Sequence, residues 1–522
     1  MSFKDTRPID KIKIALALSS GLLLTGSFPR TGRDWFAWFA LVPLLTALRN
    51  VSPKDGFRLG FLTGLVHYLT LLYWLAYTMN QYGNMPIYLG VAVLFLFSAC
   101  LALYAGGFSA AVVRCCPTSR SCLFLVPLFW VSLEYVRSFL FSGFPWELVG
   151  YSQFNRLYLI QISDILGVYG VSFLVLLSNV VIFQIMLHVI GMRWRYNRVT
   201  TKMVGASTVT LILVFGLTWG YGEWRIRAID ARISEAPASR IGVVQGNIAQ
   251  SVKWDPDFQL ATTKKYIKLS LSAKKESPDL LVWPETATPF YFFRNKLLTE
   301  MVLTAINDTG ANFLIGSPHF IPKGNEVDYF NSAFLISPKE TAFSRYDKSH
   351  LVPFGEYIPF HNWLPFLNKI VEGAGDFKPG KKGETLKWGD NRLGLQICYE
   401  IIFPGLARAM VKNNATLIVN ITNDAWYGRT SAPYQHFSMT VFRAVENRRS
   451  LVRSANTGIS GFIDPVGRII ASTPLFTDAV MVRDVPAIRV KTVYTRHGDL
   501  FAMISLALSV LLVLFGIPRK RR

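Results

Sequence analysis

The sequence predicts an α-helical membrane bundle of about eight transmembrane helices, joined to one layered α/β domain. Of the 522 residues, 51% are hydrophobic and only 17% are charged, which is typical of a membrane protein rather than a soluble protein of this size. Long apolar runs occupy residues 1–221 and return in residues 499–522. Between them, residues 222–498 alternate short β-branched segments with helical patterns, which predicts an α/β domain.

Apolar runs of about 18 residues or more are long enough to cross a bilayer as helices. We predict seven such helices in residues 1–221 and one more in residues 499–522, and the second run is the shortest. The runs are Ile12–Phe28, Trp35–Leu48, Phe57–Met79, Tyr88–Val113, Ser121–Leu140, Val168–Met192, Met203–Tyr221 and Leu500–Ile517. The first run lacks a clear small-residue cleavage site and is followed at once by others, so we interpret it as a retained helix rather than a signal peptide.

The basic residues indicate how the chain is oriented in the membrane. The chain has 55 Lys and Arg against 33 Asp and Glu, a formal net charge of +22. Many of these basic residues lie in alternate short loops between the apolar runs, and the tail Arg519–Arg522 is entirely basic. By the positive-inside rule both termini are cytoplasmic, and residues 222–498 lie on the outer, periplasmic side. Charge placed this way fits membrane orientation rather than a groove for a polyanion, so we expect no nucleic-acid partner.

One predicted outer loop, Phe141–Gly167, is rich in aromatic residues. Its segment Gly143–Leu148 combines glycine, proline, phenylalanine and tryptophan, and Tyr151 and Tyr158 follow. Such a composition suits a segment that lies in the membrane interface. The loop is either an ordinary interfacial loop or a contact for the substrate, and the sequence leaves both interpretations open.

The predicted outer domain contains eight short apolar or β-branched runs that read as strands. They are Arg240–Gln245, Leu280–Trp283, Asn312–Ile315, Ala333–Ile336, Leu393–Ile397, Thr416–Asn420, Gly461–Ile463 and Ala479–Val482. Four helical patterns lie between them, at Phe258–Ser272, Lys296–Thr309, Phe403–Asn413 and Gln435–Ser450. Strands that alternate with helices predict sheets covered by helices.

Glu285 is the first of three candidate catalytic side chains, each of which follows a predicted strand. The run Leu280–Trp283 predicts a buried strand, so Glu285 lies at its carboxyl end, where α/β folds place ligands. A carboxylate flanked by tryptophan and proline is poorly solvated, which favours a group that can act as a general base. The alternative is a surface or capping glutamate.

Lys348, the second candidate, lies in the segment Tyr346–Pro359. The prolines, the glycine and the aromatic residues of this segment predict a rigid loop rather than a helix. Such a loop can hold Lys348 and Glu356 in fixed positions, and a fixed lysine can stabilise the oxyanion of a tetrahedral intermediate. The alternative is a solvated loop lysine, which is the usual environment of this residue type.

Cys398, the third candidate, directly follows the predicted strand Leu393–Ile397. It is the only one of the five cysteines that lies in residues 222–498, so no disulfide can form within that domain. A turn between this strand and the helical pattern Phe403–Asn413 would set the thiol near backbone N–H groups and a helix N-terminus, which favours the thiolate. The alternative is a small residue packed in the core.

The order Glu285, Lys348, Cys398, with each residue after a strand, closely resembles the nitrilase, or carbon–nitrogen hydrolase, superfamily. The resemblance covers nearly all of Arg240–Val485. It includes the segments Asn420–Trp426 and Ala455–Gly461. The resemblance implies a Glu–Lys–Cys catalytic triad on an α-β-β-α sandwich.

The fused helices narrow the resemblance to membrane-anchored members of that superfamily, which acylate the N-termini of bacterial lipoproteins. Further segments of the sequence fit this narrower match: Val244–Asn247, Trp254, Pro353–Glu356, Cys398–Glu400 and the outer loop Gly143–Gln153. With these segments the resemblance extends over essentially the whole chain.

This resemblance implies the final step of bacterial lipoprotein maturation, at the bacterial inner membrane. A fatty acyl chain would pass from a membrane phospholipid, through a thioester on Cys398, to the N-terminal α-amine of a diacylglyceryl-cysteine apolipoprotein. Glu285 would act as the base, and Lys348 with the backbone N–H near Tyr399 would hold the oxyanion. The reaction needs no metal and no other cofactor.

Four further residues are candidates for binding or supporting roles. Glu356 and Glu400 are placed to orient Lys348 or the base, and Trp254 and Tyr399 to line the acyl or headgroup site. A packing role is the alternative for each of the four.

Two other functions remain open from the sequence. A membrane-bound amidase of the same superfamily would use the same three residues to hydrolyse a small amide, without needing a lipid-sized groove. A transporter or receptor with an inactive outer domain is a second alternative, which charged residues inside the apolar runs would support. Few such residues occur; Glu134 and Arg137 are examples.

Overall fold

A computed structural model describes residues 9–195, 197–339, 343–358 and 377–516. The chain forms two compact units. The first unit consists of Met1–Tyr77, Pro86–Arg225 and His497–Arg522, and the second of Thr78–Met85 and Ile226–Arg496. The basic tail Arg519–Arg522 and the last residue of the run Leu500–Ile517 lie outside the described residues.

The first unit is built almost entirely of helices. In chain order the α-helices from residue 9 to residue 235, and the last one in the chain, are Lys11–Gly26, Val42–Ala47, Pro53–Leu71, Trp74–Tyr82, Ile87–Cys115, Ser119–Phe139, Leu157–Ile160, Ser163–Leu166, Val168–Val189, Thr201–Glu235 and Leu500–Phe515. Short 3-10 helices span Asp34–Trp38 and Val149–Gln153, and a two-stranded ribbon joins Arg193–Trp194 to Asn197–Arg198.

Within the described residues, four helices are long and apolar enough to cross a membrane: Ile87–Cys115, Ser119–Phe139, Val168–Val189 and Thr201–Glu235. The bent pair Pro53–Leu71 and Trp74–Tyr82, with an angle of 46°, brings the count to five if it forms one span. The total of about eight spans therefore stays a prediction.

The run Trp35–Leu48 is not the single continuous helix that its apolar character predicts. The structure divides it into the 3-10 helix Asp34–Trp38 and the short α-helix Val42–Ala47. Pro43 lies in the first turn of the second helix. Proline needs no N–H partner in the first turn and is favoured there, so Pro43 favours a new helix that begins at Val42.

Small residues let two of the long helices approach closely in the first unit. A Cβ atom added to Gly64 of helix Pro53–Leu71 would lie 2.8 Å from the Cβ of Ala105 in helix Ile87–Cys115. One added to Gly60, a turn earlier, would collide with the backbone carbonyl of Ala105. Glycine and alanine at such a contact are typical of helices that pack through van der Waals contact in a membrane.

The second unit contains two six-stranded sheets, whose strands we number in chain order. They are β1 (Ala238–Gln245), β2 (Leu280–Val282), β3 (Asn312–Lys323), β4 (Glu326–Ile336), β5 (Phe343–Asp347), β6 (Thr385–Trp388), β7 (Asn391–Ile397), β8 (Leu417–Thr422), β9 (Leu451–Ala455), β10 (Gly461–Ile463), β11 (Ile469–Ser472) and β12 (Ala479–Pro486). The strand orders are β12-β1-β2-β3-β4-β5 and β11-β10-β9-β8-β7-β6. In each sheet the central strands are parallel: β1, β2 and β3 in the first, and β7, β8 and β9 in the second.

The helices of the second unit cover the two sheets. Helices Pro256–Ser272 and Lys296–Thr309 pack on the first sheet around an apolar core that includes Trp283 and Phe313. Helices Pro404–Lys412 and Ala432–Asn447 contact the second sheet. The two sheets face each other at Ser454 of β9, whose hydroxyl donates to the carbonyl oxygen of Val282 in β2 at 2.9 Å. These four layers confirm the predicted α-β-β-α sandwich.

Candidate active site

The structure brings the three predicted catalytic residues together at the carboxyl ends of strands. Glu285 follows β2, Lys348 follows β5 and Cys398 follows β7. The Lys348 Nζ atom lies 3.6 Å from Glu285 Oε1. All three side chains are buried: the exposed fractions are 6% for Glu285, 1% for Lys348 and 8% for Cys398. A buried carboxylate, ammonium and thiol within mutual electrostatic reach are the groups that acyl transfer through a covalent intermediate requires.

Both oxygens of Glu285 are held by hydrogen bonds. The amide nitrogen Nδ2 of Asn331 donates to Oε1 at 2.8 Å, and the backbone N–H of Asn423 donates to Oε2 at 2.9 Å. The backbone carbonyl of Glu285 accepts a hydrogen bond from Lys253 Nζ at 3.1 Å. Gly316 of β3 makes room for this turn, because a Cβ there would lie 2.7 Å from the Cα of Glu285. The base is therefore fixed from both sheets of the sandwich.

Lys348 is held by Glu356, its predicted partner. Its Nζ donates to Glu356 Oε1 at 2.9 Å, and its backbone N–H donates to the carbonyl of Asn331 at 2.8 Å. The second oxygen of Glu356 accepts from the backbone N–H of Val352 at 2.8 Å. Burial by itself would lower the pKa of Lys348, but the carboxylates of Glu356 and Glu285 outweigh it and hold that pKa above its usual value. Lys348 is therefore a permanent cation in the site.

Cys398 has a left-handed backbone conformation, with φ of 53°, which is rare for a residue with a Cβ. Burial and the nearby Glu285 carboxylate raise the pKa of its thiol to about 12, although Lys348 opposes them. The expectation that the fold favours a resting thiolate is therefore wrong. The physical reason is burial, which disfavours the charged thiolate, and the first α-helix after the thiol, Pro404–Lys412, begins six residues later. The thiol needs a base.

Glu400 ties the nucleophile's strand to the lysine loop. One oxygen accepts from the backbone N–H of Ile397 at 2.7 Å, and the other accepts from the N–H groups of Ser349 and His350 at 2.8 and 3.0 Å. The hydroxyls of Ser349 and Tyr346 also donate to it, at 2.7 and 3.0 Å. Glu400 is fully buried, which raises its pKa against these bonds. Its contacts are to the residues beside Lys348 rather than to the base.

The two predicted lining residues lie in different environments. The Tyr399 ring is buried and packs edge-on against Phe403, with 5.1 Å between ring centroids. Burial raises the pKa of Tyr399, so its phenol stays protonated. The Trp254 indole is 45% exposed, on the turn after Lys253. The contact of Trp254 with an acyl chain or headgroup therefore stays a prediction.

Several functional candidates were not identified from the sequence. Asn331 links Glu285 to Glu356, since its Nδ2 donates to a carboxylate oxygen of each at 2.8 Å. Asn331 stands beside Ser332 between the aromatic pair Tyr329–Phe330 and the apolar run Ala333–Ile336, and nothing in that pattern singles it out. Lys253 carried no signal except its place before Trp254. Asp424 lies within the segment Asn420–Trp426, but its sequence neighbours do not indicate a role.

Across the described residues, no group of three or more His, Cys, Asp or Glu side chains is arranged to hold a metal ion.

Comparisons with known proteins agree with this geometry. A family model described as carbon–nitrogen hydrolase matches residues 240–494, which places the sandwich and its site in that class of enzymes. A second model, described as the apolipoprotein N-acyltransferase N-terminal domain, matches residues 20–181. A protein of Geobacter metallireducens with the name apolipoprotein N-acyltransferase is 45% identical over 506 residues, covering 97% of this chain and 95% of the relative. The chain therefore belongs to the apolipoprotein N-acyltransferase family.

More distant relatives with the same name also match along the whole length. Those of Chlorobaculum tepidum and Methylococcus capsulatus are 30% and 31% identical, each covering 97% of this chain. A solved amidase of the nitrilase superfamily from Nesterenkonia AN1 is 20% identical, with a TM-score of 0.38, and covers 52% of this chain and 98% of that chain. As a member of this family the protein is an N-acyltransferase whose nitrilase-like domain is fused to apolar membrane helices.

Proposed function

We propose that the protein moves a fatty acyl chain from a membrane phospholipid to the α-amine of an N-terminal diacylglyceryl-cysteine on an apolipoprotein, through a thioester on Cys398. The observation that carries the proposal is the buried cluster of Glu285, Lys348 and Cys398, with 3.6 Å between the lysine and the carboxylate. Family membership supports a lipoprotein substrate in a lipid environment.

In the first half-reaction Glu285 removes the Cys398 proton, because a thiol whose pKa is raised to about 12 is not a nucleophile near neutral pH. The sulfur attacks the ester carbonyl of the phospholipid. Negative charge develops on the carbonyl oxygen, where Lys348 Nζ and the backbone N–H of Tyr399 stabilise it. When the C–O bond breaks, Glu285 returns the proton to the leaving oxygen, so a lysophospholipid departs and the thioester remains.

In the second half-reaction the neutral amine of the apolipoprotein attacks the thioester carbonyl. Glu285 accepts a proton from the attacking nitrogen, and the same oxyanion partners hold the tetrahedral intermediate. The C–S bond breaks, and the proton passes from Glu285 to the Cys398 sulfur, which restores the thiol. The two lipid-anchored substrates use one site in turn, which predicts ping-pong kinetics.

Four other residues support these steps. Glu356 orients Lys348 through the 2.9 Å hydrogen bond, and Glu400 fixes the residues next to both Lys348 and Cys398. Trp254 and Tyr399 contact the acyl chain or the headgroup. The two glutamates thus position the charged and reactive groups, and the two aromatic residues bind lipid.

We further propose that the enzyme lies in a bacterial inner membrane with both termini in the cytoplasm. Residues 1–221 would contribute seven transmembrane helices, residues 222–498 a periplasmic catalytic domain, and residues 499–522 a last helix and a basic tail. The distribution of basic loops supports this orientation. Anchoring has a physical rationale, because a soluble enzyme would have to expose acyl chains to water at about 0.8 kcal/mol per CH₂ group.

The alternative, a membrane-bound amidase acting on a small amide, shares the catalytic residues. The match of residues 20–181 to the N-terminal domain of the acyltransferases, together with relatives that align over 97% of the chain, favours the acyltransferase. A small-amide hydrolase has no need of that helical part.

Mass spectrometry of the purified enzyme after incubation with phospholipid tests the proposal. We expect a fatty-acyl adduct on Cys398 that disappears when a diacylglyceryl-cysteine peptide is added and reappears as an amide on the peptide. Cys398→Ala abolishes both products, and Glu285→Gln slows adduct formation. Cys100→Ala, which removes an exposed thiol elsewhere in the chain, is the matched control and keeps full activity. Full transfer by Cys398→Ala, or only small-amide hydrolysis by the wild type, would refute the proposal.

A further inference from the structure

A buried histidine lies behind the nucleophile and contacts its backbone. His436, on helix Ala432–Asn447, is fully buried, and its Nε2 lies 3.2 Å from the carbonyl oxygen of Cys398. A carbonyl oxygen only accepts hydrogen bonds, so Nε2 must carry the proton of this contact. Burial and the neighbouring Arg453 lower the pKa of His436 despite the nearby Asp424, so the ring is neutral. Its tautomer is therefore fixed, with Nε2–H donating to Cys398.

The other side of the ring is fixed by a buried ion pair. Arg453 NH2 lies 3.0 Å from Nδ1 of His436 and 2.8 Å from Asp424 Oδ2. Asp424 Oδ1 lies 3.0 Å from the same Nδ1 and accepts from the Thr422 hydroxyl at 2.9 Å. With the proton on Nε2, Nδ1 accepts a hydrogen bond from Arg453, and the neighbouring Asp424 Oδ1 makes no hydrogen bond to it; Asp424 acts on the ring through Arg453, which it holds in place. All four side chains are completely buried or nearly so, which leaves the imidazole no freedom to turn.

The contact with His436 sets the direction of the Cys398–Tyr399 peptide. In a trans peptide the C=O and N–H groups point in opposite directions. Because His436 holds the carbonyl of Cys398 on its own side, the N–H of Tyr399 points away from the histidine. Cys398 has a left-handed φ of 53°, which is unfavourable for a residue with a Cβ. A neighbouring contact is therefore needed to maintain this backbone conformation.

We propose that His436 is a positioning residue that holds the Cys398–Tyr399 peptide so that the Tyr399 N–H faces the oxyanion. The inference rests on the proposed acyl transfer and extends it to a residue that touches no substrate. Asp424, Arg453 and Thr422 act through the histidine, by fixing its ring and its tautomer. The buried polar cluster behind the sheet is thus part of the machinery that stabilises the tetrahedral intermediate.

Two variants of His436 separate this role from general packing. In His436→Gln the amide nitrogen occupies the place of Nε2 and still donates to Cys398. In His436→Asn the amide reaches only the place of Nδ1, so the contact with Cys398 is lost. His319→Asn, at a half-buried histidine of β3 outside the site, is the matched control.

Two rates on the full-length enzyme give the decisive comparison. The first is formation of the acyl adduct on Cys398 from a phospholipid, which develops an oxyanion. The second is alkylation of Cys398 by iodoacetamide, which uses the same thiol and base but develops no oxyanion. We expect His436→Asn to slow acylation about 10²-fold, the usual effect of losing one oxyanion donor, and to leave alkylation unchanged. His436→Gln and His319→Asn keep both rates near wild type.

Each other outcome counts against the inference. Unchanged acylation in His436→Asn overturns it, and an equal fall in both rates shows that the histidine only supports the fold. If His436→Asn does not accumulate in the membrane, His436→Gln decides: wild-type acylation supports the donor role, and slow acylation overturns it. A wild-type enzyme that forms no acyl adduct refutes the proposed function itself, which is a separate result.

Discussion

Glu400→Gln is the sharpest test of how the site is assembled. The Ser349 N–H, the Ser349 hydroxyl and the His350 N–H converge on Oε1, at 2.7 to 3.0 Å. In the variant the carbonyl oxygen of the glutamine therefore takes the position of Oε1. Its NH₂ group replaces Oε2, which in the wild type accepts from the N–H of Ile397 at 2.7 Å, so two donors face each other. The Tyr346 hydroxyl can rotate to accept from the NH₂ group, so one charge-assisted hydrogen bond is lost.

The loss has a definite size. A hydrogen bond to a charged group contributes about 1.5–3 kcal/mol. A domain of 150–250 residues loses about 2–4 °C in Tm for each kcal/mol, so we expect a fall of about 3–12 °C for the catalytic domain. Because Ile397 precedes the nucleophile, we also expect slower acylation of Cys398.

The assay is thermal unfolding of the purified protein in detergent, followed by circular dichroism, alongside the acyl-adduct rate. Glu300→Gln, at an exposed position of helix Lys296–Thr309, is the control and leaves both quantities unchanged. A Tm within 1 °C of wild type, by the same conversion, would correspond to less than about 0.5 kcal/mol and would refute the claim that Glu400 accepts all these bonds as an anion.

Two further predictions concern residues around the base. Burial lowers the pKa of Lys253 to about 8 from 10.5, so between these values the unfolded chain binds a proton that the folded chain has released, and the free energy of unfolding rises with pH. Lys253→Met removes this dependence on pH and raises the free energy of unfolding by up to about 3 kcal/mol below pH 8, which equilibrium unfolding at several pH values checks. The same change slows acylation, because the backbone carbonyl of Glu285 loses its hydrogen bond with Lys253 Nζ. Asn331→Asp puts a third carboxylate beside Glu285 and Glu356, whose oxygens each lie 2.8 Å from the amide nitrogen in the wild type. We expect the acylation rate to fall about 10-fold or more, as activity does when a supporting hydrogen bond is removed around a metal site. Asn307→Asp, at an exposed helical position, is the control, and an active Asn331→Asp enzyme would contradict the assigned contact.

Strands with a continuous apolar run were predictable from the sequence. All eight predicted strands of the catalytic domain are confirmed, although β3 ends eight residues later and β4 begins seven residues earlier than predicted; the four helices are confirmed within three residues. Strands β5, β6 and β11 were missed because they are sheet edges with no repeating burial pattern. Strand β9 was missed for another reason: it is completely buried yet contains Arg453 and Ser454, whose charge and polarity hide the strand pattern. Arg453 is tolerated there because Asp424 pairs with it at 2.8 Å and neighbouring groups accept its other hydrogen bonds.

The residues of the candidate site were also predictable only in part. Glu285, Lys348 and Cys398 could be found because each follows a recognisable strand or lies in a distinctive loop. Their partners could not, because contacts between residues far apart in the chain leave no local pattern. Asn331 and Asn423 reach Glu285 from 46 and 138 residues away. The protonation state of the thiol was also unpredictable, since it depends on burial, which the fold alone determines.

The charges of the site explain why a protonated thiol suits this chemistry. Lys348 stays cationic, because Glu356 and Glu285 hold its pKa above the usual value, while the Cys398 thiol rests neutral. In the proposed mechanism one negative charge moves from Glu285 to the sulfur, then to the substrate oxygen, and finally back. Lys348 remains its counterion throughout, so the net charge of the buried site never changes. A resting thiolate would instead add a third anion to the Glu285 and Glu356 carboxylates around Lys348, at a desolvation cost that this lysine cannot offset.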